Sequence, residues 1–131
     1  MTTFSSADVP HFKHLLQERS GALRAVTHEA LLRSDNEQYV QIAGQVHDAE
    51  EEALADLLVD VNLADIHRYV QELRDVEAAL RRITFGTYGI CVRCHEPIDR
   101  ERLEAYPTAK RCVTCQRVEE HSHMSAPAPS L

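Results

Sequence analysis

The sequence predicts a mostly α-helical fold: an antiparallel coiled-coil helical hairpin followed by a small four-cysteine module and a short C-terminal helix. Residues 9–84 contain only one proline, Pro10 at the start, and two glycines, Gly21 and Gly44, so few helix-breaking residues interrupt this segment. Aromatic residues make up 5% of the chain and charged residues 27%. That composition is typical of long helices rather than of a large globular core.

Apolar residues in the second half of this segment follow the spacing of a coiled-coil seam. They recur at alternating steps of three and four residues: Ile66, Tyr69, Leu73, Val76, Leu80 and Ile83. This spacing indicates helix packing. Leu54, Leu58 and Val61 continue the apolar face upstream, with a phase slip near residues 62–65.

The first half carries an apolar stripe that predicts the opposite arm of the hairpin. Its members are Phe12, Leu16, Leu23, Val26, Tyr39, Ile42 and Val46. The run Ser34-Asp35-Asn36-Glu37 has the S-x-x-E form of a capping box, which predicts that this arm is two helices in series. We expect the two arms to reverse near Gly44–Asp48, with a second helix over residues 49–84 that is roughly 50 Å long.

These patterns divide the chain into four regions. Residues 1–8 are polar and residues 121–131 contain Pro127 and Pro129, so both ends are expected to be disordered. Residues 9–84 form the predicted hairpin, with its tip near residues 44–53. Residues 85–120 form the cysteine module and its C-terminal helix.

The only four cysteines of the chain form two C-x-x-C pairs separated by seventeen residues. They are Cys91, Cys94, Cys112 and Cys115. This spacing predicts one tetrahedral zinc ion with four thiolate ligands. Two disulfides are the alternative, but the polar N-terminus does not resemble a secretion signal. His95 follows the second cysteine and is interpreted as a bystander.

An all-cysteine zinc site predicts a structural role and argues against an enzyme. Catalytic zinc keeps one coordination position open for water, whereas four thiolates fill all of them. A divalent ion with four thiolates carries a net charge of minus two, which nearby basic side chains could offset. These are Arg93, Arg102, Lys110, Arg111 and Arg117.

The net charge of the chain narrows the classes of partner. At −7, the protein is a poor candidate for direct DNA or RNA binding, which depends on lysine and arginine side chains facing phosphate. No apolar stretch approaches the roughly 20 residues that a membrane crossing needs. Cysteines suited to metal binding, without a secretion signal, indicate the cytoplasm.

An acidic segment coincides with the predicted tip of the hairpin. The run His47-Asp48-Ala49-Glu50-Glu51-Glu52-Ala53 has two interpretations. Asp48 and Glu51 could form a capping box at the start of the second arm. Alternatively, the carboxylates project from the end of a stiff arm and act near a metal ion or a basic pocket of a partner.

The cysteine module and the first arm resemble the DksA/TraR family. The resemblance rests on Tyr88-Gly89-Ile90-Cys91-Val92-Arg93-Cys94, on Ile98, on the run from Arg102 to Ala109 that reads R-L-E-A-Y-P-T-A, and on His11-Phe12, Leu16, Leu23-Arg24 and Val26. It covers most of residues 10–120. The R-L-E-A-x-P-T-A run is far more specific than the cysteine spacing alone.

The resemblance implies a bacterial transcription regulator that binds RNA polymerase rather than DNA. Family members insert their hairpin into the secondary channel, through which nucleotides reach the active site. The family's tip motif D-x-x-D-x-A corresponds here to Asp48, Glu51 and Ala53. The second acid is a glutamate, whose carboxylate reaches one methylene further.

The resemblance also bears on the alarmone ppGpp, which family members bind at the polymerase interface with basic side chains. Arg68 stands at one of those basic positions, whereas Asp75, Tyr106 and Gln116 occupy others. A carboxylate that faces a phosphate replaces an attractive contact with a repulsive one. We therefore expect regulation with little or no dependence on ppGpp.

Three other functions are compatible with parts of the sequence. The zinc module and coiled coil could form an adaptor that joins other proteins outside the polymerase channel. A nucleic-acid-binding finger lacks the basic stripe with interleaved aromatics that such modules use. A metalloenzyme lacks an open coordination position.

Overall fold

The computed structural model describes residues 4–125, in which six α-helices are separated by short connections. The helices are α1 (Val9–Arg33), α2 (Glu37–Asp48), α3 (Leu54–Leu58), α4 (Ala64–Phe85), α5 (Arg100–Ala105) and α6 (Val113–Ser125). Short 3-10 helices cover Ser6–Asp8 and Glu51–Ala53. Within residues 4–125, none of the helices combines the length and the apolar character that a bilayer crossing requires.

Helices α1 and α4 form an antiparallel pair that is the frame of the molecule. Their buried faces include Leu16 on α1 and Val76 on α4, which line one side of a common cleft. Arg19 of α1 forms an ion pair with Glu72 of α4 one turn further along. This packing confirms the predicted hairpin-like arrangement of a mostly helical chain.

Local signals explain where these helices begin and end. Pro10 lies in the first turn of α1, where its missing N–H costs nothing. The Asn36 side chain accepts hydrogen bonds from the N–H groups of Gln38 and Tyr39, at 2.9 and 3.4 Å, and so caps α2. Two helices in series were therefore predicted correctly, although the cap is Asn36 rather than Ser34. Helix α4 ends at Gly86, whose φ of 75° is left-handed.

The path between α1 and α4 differs from the predicted pair of long arms. After residues 34–36 the chain turns back, so that α2 lies against α1 and Arg24 Nη1 donates to the Val46 carbonyl at 2.5 Å. After residues 49–53 it turns again. Helix α3 then lies against α4, with the Ala55 N–H donating to the Glu77 carboxylate at 3.3 Å.

One reversal does lie within the predicted tip, at residues 49–53, but the chain also reverses at residues 34–36 and 59–63, so the prediction of a single reversal is incomplete. Gly44 lies inside α2, and the helix predicted over residues 49–84 is split at residues 59–63. The physical reason is burial. Folding back encloses a set of apolar side chains between the four segments, consisting of Ala43, Val46, Leu54, Ala55, Leu58 and Val61.

Both predicted disordered ends are partly ordered. Phe4 packs its ring against Phe12 and Tyr88, with centroid separations of 5.8 and 5.5 Å, and this apolar contact fixes residues 4–8 despite their polar neighbours. Residues 121–125 continue helix α6, since the first proline of the tail comes later. Residues 1–3 and 126–131 lie outside the described residues.

Replacement of two glycines by alanine is expected to change the free energy of unfolding in opposite directions. A Cβ at Gly89 would lie 2.4 Å from the Phe4 ring, and the φ of 82° disfavours any side chain. A Cβ at Gly21 meets nothing within 4 Å. We expect Gly89→Ala to lower the free energy of unfolding by at least about 1–2 kcal/mol. Gly21→Ala should raise it by about 1 kcal/mol, and denaturant titrations of the zinc-loaded chains would measure both. Equal effects of the two changes would contradict the described packing of Phe4.

Candidate metal centre and acidic segment

Two tight turns position the four cysteines. The N–H of Cys94 donates to Cys91 Sγ at 3.5 Å, and the N–H of Cys115 donates to Cys112 Sγ at 3.4 Å. His95 closes the first turn with a φ of 62°, and its side chain is exposed. The two turns are held together by a hydrogen bond from the Val92 N–H to the Lys110 carbonyl at 2.9 Å.

The sulfur positions fit one zinc ion. All four Sγ atoms lie within 4.8 Å of one another, and those of Cys94 and Cys112 are 3.9 Å apart. A tetrahedral ion with Zn–S bonds of about 2.3 Å places its sulfurs about 3.8 Å apart. Cys91, Cys94, Cys112 and Cys115 are therefore suited to hold one structural zinc, and they fill all of its coordination positions.

The pKa values of the cysteine thiols and the repulsion between thiolates both favour a cation between the four sulfurs. Burial of the Cys91 thiol raises its pKa, but N–H donors from Cys94, Cys112 and Arg93 outweigh burial and lower that pKa to about 6. The neighbouring Cys112 side chain, with burial, raises the pKa of Cys115 to about 12. Four thiolates at this spacing repel one another, and a divalent cation removes that repulsion.

The zinc module is fastened to the base of the α1–α4 pair by polar contacts. The buried Tyr88 hydroxyl donates to the Pro107 carbonyl at 2.7 Å, and burial raises the pKa of Tyr88. Arg82 on α4 donates to the Thr108 carbonyl at 3.3 Å. Arg102, one of the basic residues that could offset the thiolate charge, donates to the Arg111 carbonyl at 2.9 Å. Arg82 was not singled out from the sequence, because a lone arginine on a helix carries no motif.

The acidic segment, residues 48–53, lies in one exposed reversal. Asp48 is the last residue of α2 and its side chain is 86% exposed. The 3-10 helix that follows has Glu50 at its N-cap position, so the capping-box interpretation of Asp48 is wrong. Glu51 opens the 3-10 helix and Ala53 is exposed at its end. The structure thus brings Asp48, Glu51 and Ala53 together on the surface.

The position of the acidic segment within the fold was not expected. Glu51 and Glu52 line a cleft with Lys13 on α1 and with Leu80 on α4, which are residues of the half of the frame that carries the zinc module. The opposite end of the frame is formed by the connections at residues 34–36 and 59–63. The segment therefore lies at the side of the frame rather than at its far end.

The residues considered for ppGpp lie on three separate elements. On α4, Arg68 approaches Asp65 at 3.7 Å and lies 5.4 Å from the centre of the Tyr69 ring. Asp75, also on α4, is exposed and accepts a hydrogen bond from Gln71 at 3.2 Å. Tyr106 follows α5, and Gln116 on α6 donates to Glu120 at 3.2 Å.

Loss of one thiolate should remove the metal and unfold the module. Because a serine hydroxyl does not replace a thiolate on zinc, we expect Cys112→Ser to reduce the bound zinc from one per chain to substantially less. The thermal transition should also move to lower temperature. Elemental analysis of the purified chain and circular dichroism measure the two effects. His95→Asn is the matched control, since asparagine tolerates the left-handed conformation and zinc should stay at one per chain. A Cys112→Ser chain that retains one tightly bound zinc would contradict the assignment.

The sequence of the cysteine module and of part of the helical segment is similar to that of known proteins. Residues 86–121 match the prokaryotic dksA/traR C4-type zinc finger. The chain is 40% identical over 68 residues to an uncharacterised protein of Aquifex aeolicus and 36% identical over 76 residues to general stress protein 16O of Bacillus subtilis. These matches cover 51% and 57% of this chain, and the chain spans about half of each relative, 46% and 45%.

Two further likenesses extend over most of the chain. The RNA polymerase-binding transcription factor DksA of Salmonella typhimurium is 25% identical over 116 residues, which are 88% of this chain and 74% of that protein. The structure of transcription factor DksA2 from Pseudomonas aeruginosa matches with a TM-score of 0.61 and 26% identity, covering 90% of this chain and 87% of the other. Residues 86–121 therefore form a zinc finger of the DksA/TraR C4 type, and the chain is DksA-like in sequence and fold.

Proposed function

We propose that this chain is a DksA-like transcription regulator that binds RNA polymerase and modulates initiation from the secondary channel. The observation that carries this proposal is the likeness to DksA2 over 90% of the chain, at 26% identity. It is supported by relatives such as the DksA of Salmonella typhimurium, which is named as RNA polymerase-binding. A similarity limited to the zinc module would not include the helical frame, whereas this similarity covers both parts of the chain.

The regulator works by contact and has no covalent chemistry of its own. The four clustered cysteines leave no coordination position for a substrate water. The zinc module docks at the rim of the polymerase, and the helices enter the channel. The net charge of −7 directs the protein toward a basic protein surface rather than toward DNA or RNA.

The acidic segment is the part that acts near the polymerase active site. Asp48 is 86% exposed, and Ala53 is an exposed small residue that ends the same reversal. The carboxylates of Asp48 and Glu51 are only three residues apart and therefore lie within one turn of the chain. Carboxylates near a catalytic magnesium ion alter its electrostatic surroundings and thereby the lifetime of the open promoter complex.

Neutral replacements in the acidic segment test this role. We expect the double variant Asp48→Asn with Glu51→Gln to abolish the effect on open-complex lifetime and to leave polymerase binding within about threefold of the unmodified chain. The reason is that exposed charges contribute little to the free energy of binding, whereas these two carboxylates would change the electrostatic potential at the polymerase active site. Filter retention of promoter complexes over time measures the lifetime, and competition with a known secondary-channel factor measures the binding.

The matched control is Glu50→Gln with Glu52→Gln, which removes the same charge from the same segment. We expect this control to keep most of the regulatory effect. Normal regulation by the Asp48/Glu51 variant would show that the acidic assignment is wrong. A chain that recovers other proteins but no polymerase subunits from a lysate, and that does not compete for the channel, would favour an adaptor instead.

Regulation is expected to depend little on ppGpp. The carboxylate of Asp75 is exposed on α4, where it opposes a phosphate rather than pairing with one. We expect less than about a twofold change in open-complex lifetime when ppGpp is added to polymerase that already carries this protein. In vitro transcription from a ribosomal promoter, with and without ppGpp, provides the measurement, and a large synergy between the two would refute the expectation.

A further inference from the structure

The segment ahead of α1, residues 4–8, contacts both the frame and the zinc module, and we call it the N-terminal strap. Phe4 begins the strap and is partly buried. Asp8 ends it, at the end of a short 3-10 helix. The strap lies outside both the cysteine pairs and the R-L-E-A-x-P-T-A run, so neither motif accounts for its contacts.

Phe4 packs directly on the backbone of the hairpin that carries the first cysteine pair, residues 89–98. A Cβ at Gly89 would lie 2.4 to 2.8 Å from three atoms of the Phe4 ring, so the ring fills the space of a side chain. The two halves of this hairpin are joined by backbone hydrogen bonds. The Ile98 N–H donates to the Gly89 carbonyl at 2.8 Å, and the Cys91 N–H donates to the Glu96 carbonyl at 2.9 Å. Phe4 therefore packs on the segment that positions Cys91.

The same phenylalanine ring is held by the frame. Its centroid lies 5.8 Å from that of Phe12 on α1 and 5.5 Å from that of Tyr88, with the Tyr88 ring edge-on. Aromatic rings attract one another at these separations, beyond the effect of the apolar area that they bury. Phe4 thus ties the first cysteine hairpin to the start of α1.

The other end of the strap is fixed by charge. Asp8 Oδ2 accepts a hydrogen bond from the Ser5 N–H at 3.0 Å, which closes the strap on itself. Asp8 Oδ1 lies 3.8 Å from Arg100 Nε, at the start of α5 in the zinc module. That nitrogen is buried and has no hydrogen-bond partner, so Asp8 supplies compensating charge beside it. Loss of the Asp8 carboxylate would leave a partly buried cation with less compensation.

The remaining connections between the frame and the module reach a different part of the module. Arg82 donates to the Thr108 carbonyl, and Tyr88 donates to the Pro107 carbonyl. Both carbonyls belong to the long loop between the two cysteine pairs. These contacts fasten the loop, whereas Phe4 fastens the first cysteine hairpin itself.

The four cysteines are unequally covered. Cys91 and Cys115 are buried, whereas Cys94 is exposed and Cys112 is half-buried. The two more accessible sulfurs, those of Cys94 and Cys112, lie 3.9 Å apart. A chelator therefore reaches one thiolate of each pair before it reaches the other.

We propose that the N-terminal strap is a lock that slows the loss of zinc from the four-cysteine site, with Phe4 as its main positioning residue. Once the thiolates of Cys94 and Cys112 have been displaced, complete release requires Cys91 to move away from Cys115. Phe4 opposes that movement because it holds the hairpin of Cys91 against α1 in a packed contact. The inference concerns the metal centre alone and does not depend on binding to RNA polymerase.

Transfer of zinc to a chelating dye measures the lock. The full zinc-loaded chain is mixed with an excess of pyridylazoresorcinol, and the absorbance of the dye reports the release over time. We expect Phe4→Ala to release zinc at least about tenfold faster, because truncation of a packed aromatic side chain leaves a cavity beside the hairpin. Phe4→Leu keeps an apolar side chain there and should stay within about threefold of the unmodified chain.

Asp8→Asn tests the charged end of the strap independently. Because the pair with Arg100 is partly exposed, we expect a smaller effect, a release about threefold faster than that of the unmodified chain. This variant keeps Phe4 and its ring contacts. It therefore shows whether the strap acts as a unit or only through its aromatic residue.

Two controls separate a lock from a general loss of stability. Phe85→Ala removes an aromatic ring that is 75% exposed and should leave the rate of release unchanged. Leu31→Ala removes a fully buried side chain near the far end of α1. It should lower the thermal transition clearly, yet leave the rate of release within about twofold, because the cavity lies away from the module. The absorption spectra of the cobalt-loaded chains verify that the four thiolates still bind the metal in each variant.

The outcomes decide the inference without RNA polymerase. Faster release from Phe4→Ala, with an unchanged rate in Leu31→Ala, supports the lock. Equal rates in Phe4→Ala and the unmodified chain overturn it, and so does an equal acceleration by Leu31→Ala. If Phe4→Ala does not fold around the metal, Asp8→Asn decides, and a rate equal to that of the unmodified chain then overturns the lock. Failure of the protein to bind polymerase would contradict the proposed function and leave these measurements standing.

Discussion

The apolar contact between α1 and α4 is the constraint on which the other parts of the structure depend. Both helices present a stripe of side chains at helical spacing, and Phe12, Leu16, Leu73 and Val76 are buried to 1% exposure or less. Each such side chain contributes about 1.5–3 kcal/mol when it leaves water. The pair fixes the base where the zinc module attaches, and its other end fixes the two connections at residues 34–36 and 59–63.

The zinc module depends on this frame and stabilises it in return. Phe12 of α1 packs its ring 5.9 Å from the Tyr88 ring, and His11 lies 2.9 Å from the Glu104 carboxylate. A module of about thirty residues buries too little apolar surface to fold alone, so zinc and the helical base share that task. Loss of the metal is therefore expected to loosen the end of the α1–α4 pair as well as the module.

The sequence alone predicted features that depend on a few neighbouring residues or on a distinctive set of metal ligands. The cysteine pairs identified the metal centre because few other sites need four sulfurs at that spacing. The S-x-x-E run predicted the interruption at residues 34–36, whereas the phase slip near residue 62 was attributed to a continuous helix over residues 49–84 that in fact breaks at residues 59–63. Residues 4–8 were missed because one aromatic side chain, Phe4, outweighs the polar composition around it.

The direction of the chain after each interruption was not predictable in the same way. A break in a helix is a local event, but continuation or folding back depends on whether distant faces can bury one another. The decisive contacts, Arg24 to the Val46 carbonyl and Glu77 to the Ala55 N–H, join a side chain to a backbone group and leave no pattern in the sequence.

The acidic segment illustrates why that ambiguity concerns function. Glu51 and Glu52 face a cleft that also contains Lys13 and Arg81, so part of their charge is balanced within the molecule. Asp48, by contrast, is 86% exposed, so its field acts outward on solvent or on a partner. The chemistry of the segment is thus fixed by its residues, whereas the direction in which its charge acts is set by the way α2 and α3 fold back onto α1 and α4.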